Sequence, residues 1–176
     1  KHELADSVTV AALDRATTFA LGDVTGDGMA DIVFATHGGG DAVAYLPWMA
    51  ATTYGPPVAL LSAGVGASLA VATGDFDGDG DIDVVHCTAA SRLRWFENNA
   101  GDGSGWTTRS FPFQLSVSGV YAHDVDGDGD LDLVLASQNV NNLFWVANRY
   151  DGGGAGRGKD EVWGMSRLIA PCSACS

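Results

Sequence analysis

Three stretches of this chain are copies of one another: "GDVTGDGMADIVFAT" at 22–36, "GDFDGDGDIDVVHCT" at 74–88 and "HDVDGDGDLDLVLAS" at 123–137. Their first aspartates, Asp23, Asp75 and Asp124, stand 52 and 49 residues apart. Repetition at such a period constrains the fold more than any other property, because each unit is one supersecondary motif that buries its apolar face only against the next. The likeness runs on past the acidic segment. "RLRWFENN" (92–99) aligns with "NLFWVANR" (142–149), which sets Trp95 over Trp145, and Tyr45 of "AVAYLPW" fills the same place in the first copy. A second aromatic column follows a glycine-rich turn, with Trp106, Trp163 and, in the first copy, Tyr54.

Each copy reads as four short strands. One leads into the acidic loop ("SLAVATGDF", "SGVYAHDV"), one leaves it ("IDVVHCT", "LDLVLAS"), a third carries the aromatic residue, and a fourth ("TTRSFPF", "MSRLIAP") closes the unit. Alternating β-branched and aromatic residues between Gly, Asn and Asp turns support strands, and no segment holds a helical period. A four-stranded unit of about 50 residues has the size of a β-propeller blade. The expected architecture is all-β: a single domain over 1–176 built of three four-stranded blades of β-propeller type. Repeat 1 covers 22–73, repeat 2 covers 74–122 and repeat 3 covers 123–176. Residues 1–21 hold the strand leading into the first loop and, in "SVTVAAL" (7–13), an extra N-terminal strand. Propellers close with four blades or more. Three blades and a spare strand therefore predict an open arrangement whose unpaired edges invite another chain.

Composition limits what such a fold can do. At 176 residues and 46% hydrophobic the chain has enough material for a packed core. Its net charge of −13, with Lys and Arg totalling only 9, excludes the basic footprint that nucleic-acid binding needs and disfavours an anionic membrane surface. The acidity is local: of the 22 acidic residues, three lie in the first loop and five in each of the other two. Residues 42–74 carry no charge, but Pro47, Pro56 and Pro57 interrupt them, and the uninterrupted remainder falls short of the ~20 residues a membrane span requires. No membrane insertion is expected. Lys1 in first place marks either a processed chain or a fragment.

The acidic loops need a counter-charge, since neighbouring carboxylates repel by about 1 kcal/mol in water and several times that near a protein surface. Oxygen donors fall at positions 1, 3, 5 and 9 of each loop, with a backbone carbonyl expected at position 7. In the second loop these are Asp75, Asp77, Asp79, Asp83 and the carbonyl of Asp81; in the third, Asp124, Asp126, Asp128, Asp132 and the carbonyl of Asp130. In the first they are Asp23, Thr25, Asp27, Asp31 and the carbonyl of Met29. Glycines at positions 4 and 6 permit a tight wrap around an ion. An all-oxygen set of this kind suits calcium, whereas magnesium prefers a smaller shell that keeps its waters. An EF-hand opens similarly but needs a Glu at position 12 and flanking helices; here that position holds Phe34, His86 and Leu135, each followed by strand. A metal-free acidic turn is the plainer alternative, and it is strongest for the first loop, where Thr25 removes a charge.

The pattern D-x-D-G-D-G-x-x-D, repeated at this period and followed by strands such as "WFEN", resembles the VCBS / FG-GAP repeat family over nearly the whole chain. The resemblance implies propeller blades, calcium held between the first two strands of each blade, and roles in adhesion and ligand binding in secreted or cell-surface proteins. Integrin α-subunit heads share that architecture, as do some secreted lectins and polysaccharide lyases. The chain departs from the family in lacking a clear Phe-Gly-Gly-Ala-Pro element and in having three repeats where complete propellers have more.

No catalytic residue emerges, so no enzyme activity is expected. His2, His37, His86 and His123 belong to no motif that links them to a nucleophile, and no serine sits in a nucleophile elbow. The aromatic columns fit an inter-blade core better than sugar-stacking platforms. Cys172 and Cys175 form a C-x-x-C without the helix-opening context of a redox motif; a terminal disulfide is the plain reading, and the pairing with Cys87 stays open. The expected function is an extracellular, calcium-stabilised structural or adhesive repeat with three structural Ca2+ sites. It would self-assemble with copies of itself, as ring or fibre, through open blade edges. The alternative is a fragment of a larger secreted adhesin, lectin or polysaccharide-active enzyme that binds glycans or surface proteins on its loop face.

Overall fold

The structure, a computed structural model, describes residues 15–37, 42–50, 53–62, 67–90, 92–111, 115–137, 140–149, 163–164 and 167–171. The spare strand expected at 7–13, His2 and the Cys172–Cys175 pair lie outside these residues. Every described element is a strand or turn, and the strands form three antiparallel four-stranded sheets, each with one acidic loop between its first two strands. The first comprises β1 (Ala16–Gly22), β2 (Asp31–Thr36), β3 (Ala42–Leu46) and β6 (Val58–Ser62). The second comprises β7 (Ser68–Gly74), β8 (Asp83–Thr88), β9 (Leu93–Asn98) and β10 (Trp106–Ser110). The third comprises β11 (Val117–His123), β12 (Asp132–Ser137), β13 (Asn142–Val146) and β14 (Arg167–Pro171).

The first blade differs in its outer hairpin, where β4 (Trp48–Ala50) and β5 (Thr53–Tyr54) form a separate two-stranded ribbon. Pro47 and the Pro56–Pro57 pair explain the split, because a proline lacks the N–H that would carry the ladder through. The register nevertheless preserves both aromatic columns. Tyr45, Trp95 and Trp145 pair with Val33, Val85 and Val134, each two residues beyond the last aspartate of its loop. Tyr54, Trp106 and Trp163 pair with Trp48, Asn98 and Asn148. The alignment of three unequal segments is thus reproduced as one geometry.

The blades stack face to face. Val24, Val33, Val43 and Tyr45 of the first blade pack against Val71, Val84 and Phe96 of the second. The other side of the second blade, with Phe76, Val85, Leu93 and Trp95, packs against Val117, Leu133, Leu135 and Val146 of the third. Each blade thus offers its aromatic face to the opposite face of its successor. Trp163 lies in the second junction, with its ring centre 6.1 Å from Trp95, 5.8 Å from Phe76 and 4.8 Å from Phe111. Trp95 is only 1% exposed; truncating it to alanine is expected to cost about 3–5 kcal/mol, read by denaturant unfolding.

Cys87, within this core, and His86 beside it are both buried on β8. Cys87 is a free thiol that donates to the Val117 carbonyl across the junction at 3.4 Å, and burial pushes its pKa up to about 12. His86 shares a 3.0 Å hydrogen bond with the Ser68 hydroxyl and is fully buried, which, with Arg94 opposite, lowers its pKa to about 4. The unfolded chain takes up a proton near pH 6.5 that the folded chain refuses until about 4. Stability is therefore lost as pH falls through that window, by up to about 3 kcal/mol. In excess calcium, His86→Leu, the residue its equivalent Leu135 already is, should show a shallower loss of unfolding free energy between pH 7 and 4.5. Equal slopes for the two proteins would count against this account.

Candidate metal centres

Each acidic loop joins the first strand of its blade to the second: β1 to β2, β7 to β8 and β11 to β12. The chain reverses there through glycines at positions 4 and 6, all with positive φ: Gly26 and Gly28 at 67° and 85°, Gly78 and Gly80 at 71° and 95°, Gly127 and Gly129 at 80° and 100°. Side chains strain this conformation, which is why glycine recurs at those six positions.

The turn arranges backbone amides around the carboxylates. The first aspartate of every loop accepts from two of them. One is the amide at position 6, from Gly28 at 2.7 Å, Gly80 at 3.0 Å and Gly129 at 3.1 Å. The other comes from Asp27, Gly78 or Gly127. The aspartate at position 5 accepts from position 7: Met29 N–H to Asp27 at 2.8 Å, Asp81 to Asp79 at 3.0 Å and Asp130 to Asp128 at 3.0 Å. Held in this way, one oxygen each of Asp75, Asp77 and Asp79 lies within 4.8 Å of the other two, and Asp124, Asp126 and Asp128 do the same. Asp81 does not join its trio by its carboxylate, which sits beside Gly101 of the next hairpin turn.

The ninth position has a second task. Asp31, Asp83 and Asp132 are all fully buried. Each joins the second residue of its loop to the chain at the end of the third strand or just beyond it. Asp31 accepts from Val24 at 2.9 Å and Trp48 at 2.8 Å; Asp83 from Phe76 at 3.3 Å and Asn98 at 2.8 Å; Asp132 from Val125 at 3.1 Å and Asn148 at 2.8 Å. The Trp95 indole N–H adds a third donor to Asp83 at 3.0 Å. In the first loop the Thr25 hydroxyl donates to Asp31 at 3.1 Å, which gives this weaker oxygen donor a partner within the protein.

The electrostatics favour a cation. Burial raises the Asp83 carboxyl to about 7 against the pull of the Asn98 amide and the Trp95 indole, with Asp77 pushing the same way. Asp79, Asp126 and Asp130 are also raised, by desolvation first and then by neighbouring carboxylates. A divalent ion among these oxygens relieves both causes at once. The donor set, all oxygen and mostly carboxylate, fits a hard cation.

Two asparagines outside the acidic loops carry structural roles that the loop motif does not announce. Asn98 donates its side-chain amide to Val24 O of the preceding loop at 3.0 Å and to Ile82 O at 3.3 Å; Asn148 donates to Phe76 O at 2.7 Å and to Leu131 O at 3.2 Å. Each ties consecutive acidic loops together. Asn98 and Asn148 stand in one column of the repeat, but their acceptors on the preceding loops lie over 70 residues away. The first blade has Trp48 at that position, stacked edge-on against Tyr54 with centres 5.2 Å apart.

A family model described as an FG-GAP-like repeat matches residues 23–86 and again 75–135, well over half of the chain in total. Both matches begin on the first aspartate of an acidic loop. No curated protein matches the chain.

Proposed function

The chain belongs to the FG-GAP-like repeat family, and on that premise we propose that it is a calcium-stabilised structural and adhesive repeat module of the extracellular space or cell surface. In this reading it self-assembles with copies of itself through its open terminal blades. Repeats of this family are in general structural or adhesive, and typical of extracellular proteins. No helix among the described residues is long and apolar enough to cross a membrane.

The observation that carries the calcium reading is the pair of carboxylate trios, each with its oxygens inside 4.8 Å. Asp75, Asp77, Asp79 and Asp83 with the carbonyl of Asp81 would hold one ion, and Asp124, Asp126, Asp128 and Asp132 with the carbonyl of Asp130 a second. Asp23, Thr25, Asp27 and Asp31 with the carbonyl of Met29 would hold a third, with one charge fewer. Once bound, the ion supplies positive charge that locks the loop; it supplies no reaction chemistry in this reading. Tyr45, Trp95 and Trp163 are buried between blades, which supports a core role for these three over sugar stacking. Calorimetric titration is expected to find two tighter calcium sites and one weaker, the weaker being absent in Asp23→Ala. Absence of binding at millimolar calcium would sink the proposal.

A further inference from the structure

The two blade junctions inside the chain are built alike and define what each face accepts. The aromatic face of one blade takes the opposite face of the next, and the innermost strands β1, β7 and β11 lie side by side. Where an innermost strand ends, a glycine makes room for the neighbouring loop. A Cβ on Gly22 would stand 2.8 Å from Ile82 Cγ2, and one on Gly74 2.5 Å from Leu131 Cδ1. Ile82 and Leu131 are the eighth residues of their loops.

At the two outer faces these parts are exchanged. The place of Gly22 and Gly74 is taken on the third blade by His123, paired with Asp132 as they are with Asp31 and Asp83. The place of Ile82 and Leu131 is taken on the first blade by Ala30. Bulk missing from the loop is supplied by the strand. Around His123, the third blade's aromatic face exposes Tyr121 (68%), Leu143 (44%) and Val125 (42%), the last two equivalent to the buried Leu93 and Phe76. On the first blade's opposite face Phe34, Ala44 and Leu46 already form a small buried cluster of their own, and the open part is β1, with Phe19 (69%) and Leu21 (57%) exposed; their equivalents Val120 and Ala122 pack into the second junction. Exposed apolar area of this kind marks an interaction surface.

We propose that these two faces bind each other between copies. The third blade of one molecule seats its aromatic face along β1 of the first blade of a second molecule, over the exposed Phe19 and Leu21 and with His123 against Ala30. The proposal rests on the self-assembly reading and assigns it to blade faces in place of strand edges. The contact is heterologous, so one copy uses a different surface from its partner.

That asymmetry provides the test. Phe19→Asp/Leu21→Asp blocks one surface and Tyr121→Asp/Leu143→Asp the other, all at exposed positions, with circular dichroism to verify the fold. By sedimentation velocity the unsubstituted chain should associate, each variant alone should be monomeric, and an equal mixture of the two should form a dimer through its remaining intact pair of faces. Ala30→Leu alone should weaken association by about tenfold through overpacking against His123, and Ala30→Leu/His123→Gly, which restores the internal arrangement, should recover it. If both blocked variants assemble like the unsubstituted chain, self-assembly stands and the faces are excluded from it. A strictly monomeric unsubstituted chain removes both readings.

Discussion

Stripped of calcium by EDTA, the protein should melt roughly 10–30 °C lower than in millimolar calcium, and magnesium should not restore it. A ligand at 100 times its dissociation constant stabilises the folded state by about 2.7 kcal/mol per site. Three sites together approach the ~5–15 kcal/mol that holds a whole domain folded. The effect is large here because the loops concentrate charge that nothing else in them neutralises. Asp79, Asp126 and Asp130 are raised by desolvation and by their neighbours, and removing the ion returns that cost to the folded state. Magnesium fails in this account because it keeps its waters and demands a smaller octahedral shell than a loop of converging carboxylates offers. Differential scanning calorimetry in calcium, EDTA and EDTA with excess magnesium measures all three states, and an unchanged melt in EDTA would remove the structural role of the ion.

Asp83→Ala should be the most damaging substitution in any loop, and it should destabilise the protein even in EDTA. Its carboxylate accepts from Phe76 N–H, Trp95 Nε1–H and Asn98 N–H, and it is fully buried. Alanine leaves those donors without an acceptor, at about 1–3 kcal/mol each. Burial has already raised this carboxyl to about 7, so part of the loss is offset by relief of a poorly solvated charge. A net destabilisation of roughly 3 kcal/mol remains, read by urea unfolding in EDTA. Asp79→Ala provides the contrast. Asp79 is exposed and accepts the Asp81 amide at 3.0 Å, so its loss should matter in calcium and hardly at all in EDTA. Equal behaviour of the two variants in EDTA would reduce the ninth position to a metal ligand alone.

The repeat made most of this legible in advance. The four-stranded unit, the loop between first and second strands, and the two aromatic columns all follow from aligning three segments, because a periodic sequence must place equivalent residues in equivalent environments. Loop glycines were readable for the same local reason: positive φ at positions 4 and 6 depends on a few neighbouring residues. The proline-split hairpin of the first blade is less legible: in the sequence Pro47, Pro56 and Pro57 argue only against a membrane span, and their effect on the ladder depends on which strands they separate.

What the sequence by itself determined is the unit: strand order and the acidic, glycine-bearing loop between its first two strands. These are local, set by alternation, turn residues and spacing. Only the tertiary structure decided how units meet. It placed Asn98 and Asn148 on the preceding loops and gave the ninth aspartate its amide partners at or just past the end of the third strand. It also set Gly22 and Gly74 against Ile82 and Leu131, which turned His123 and Ala30 from unremarked departures into the two halves of one junction. Contacts between residues far apart in the chain leave no periodic trace, so packing alone reveals them.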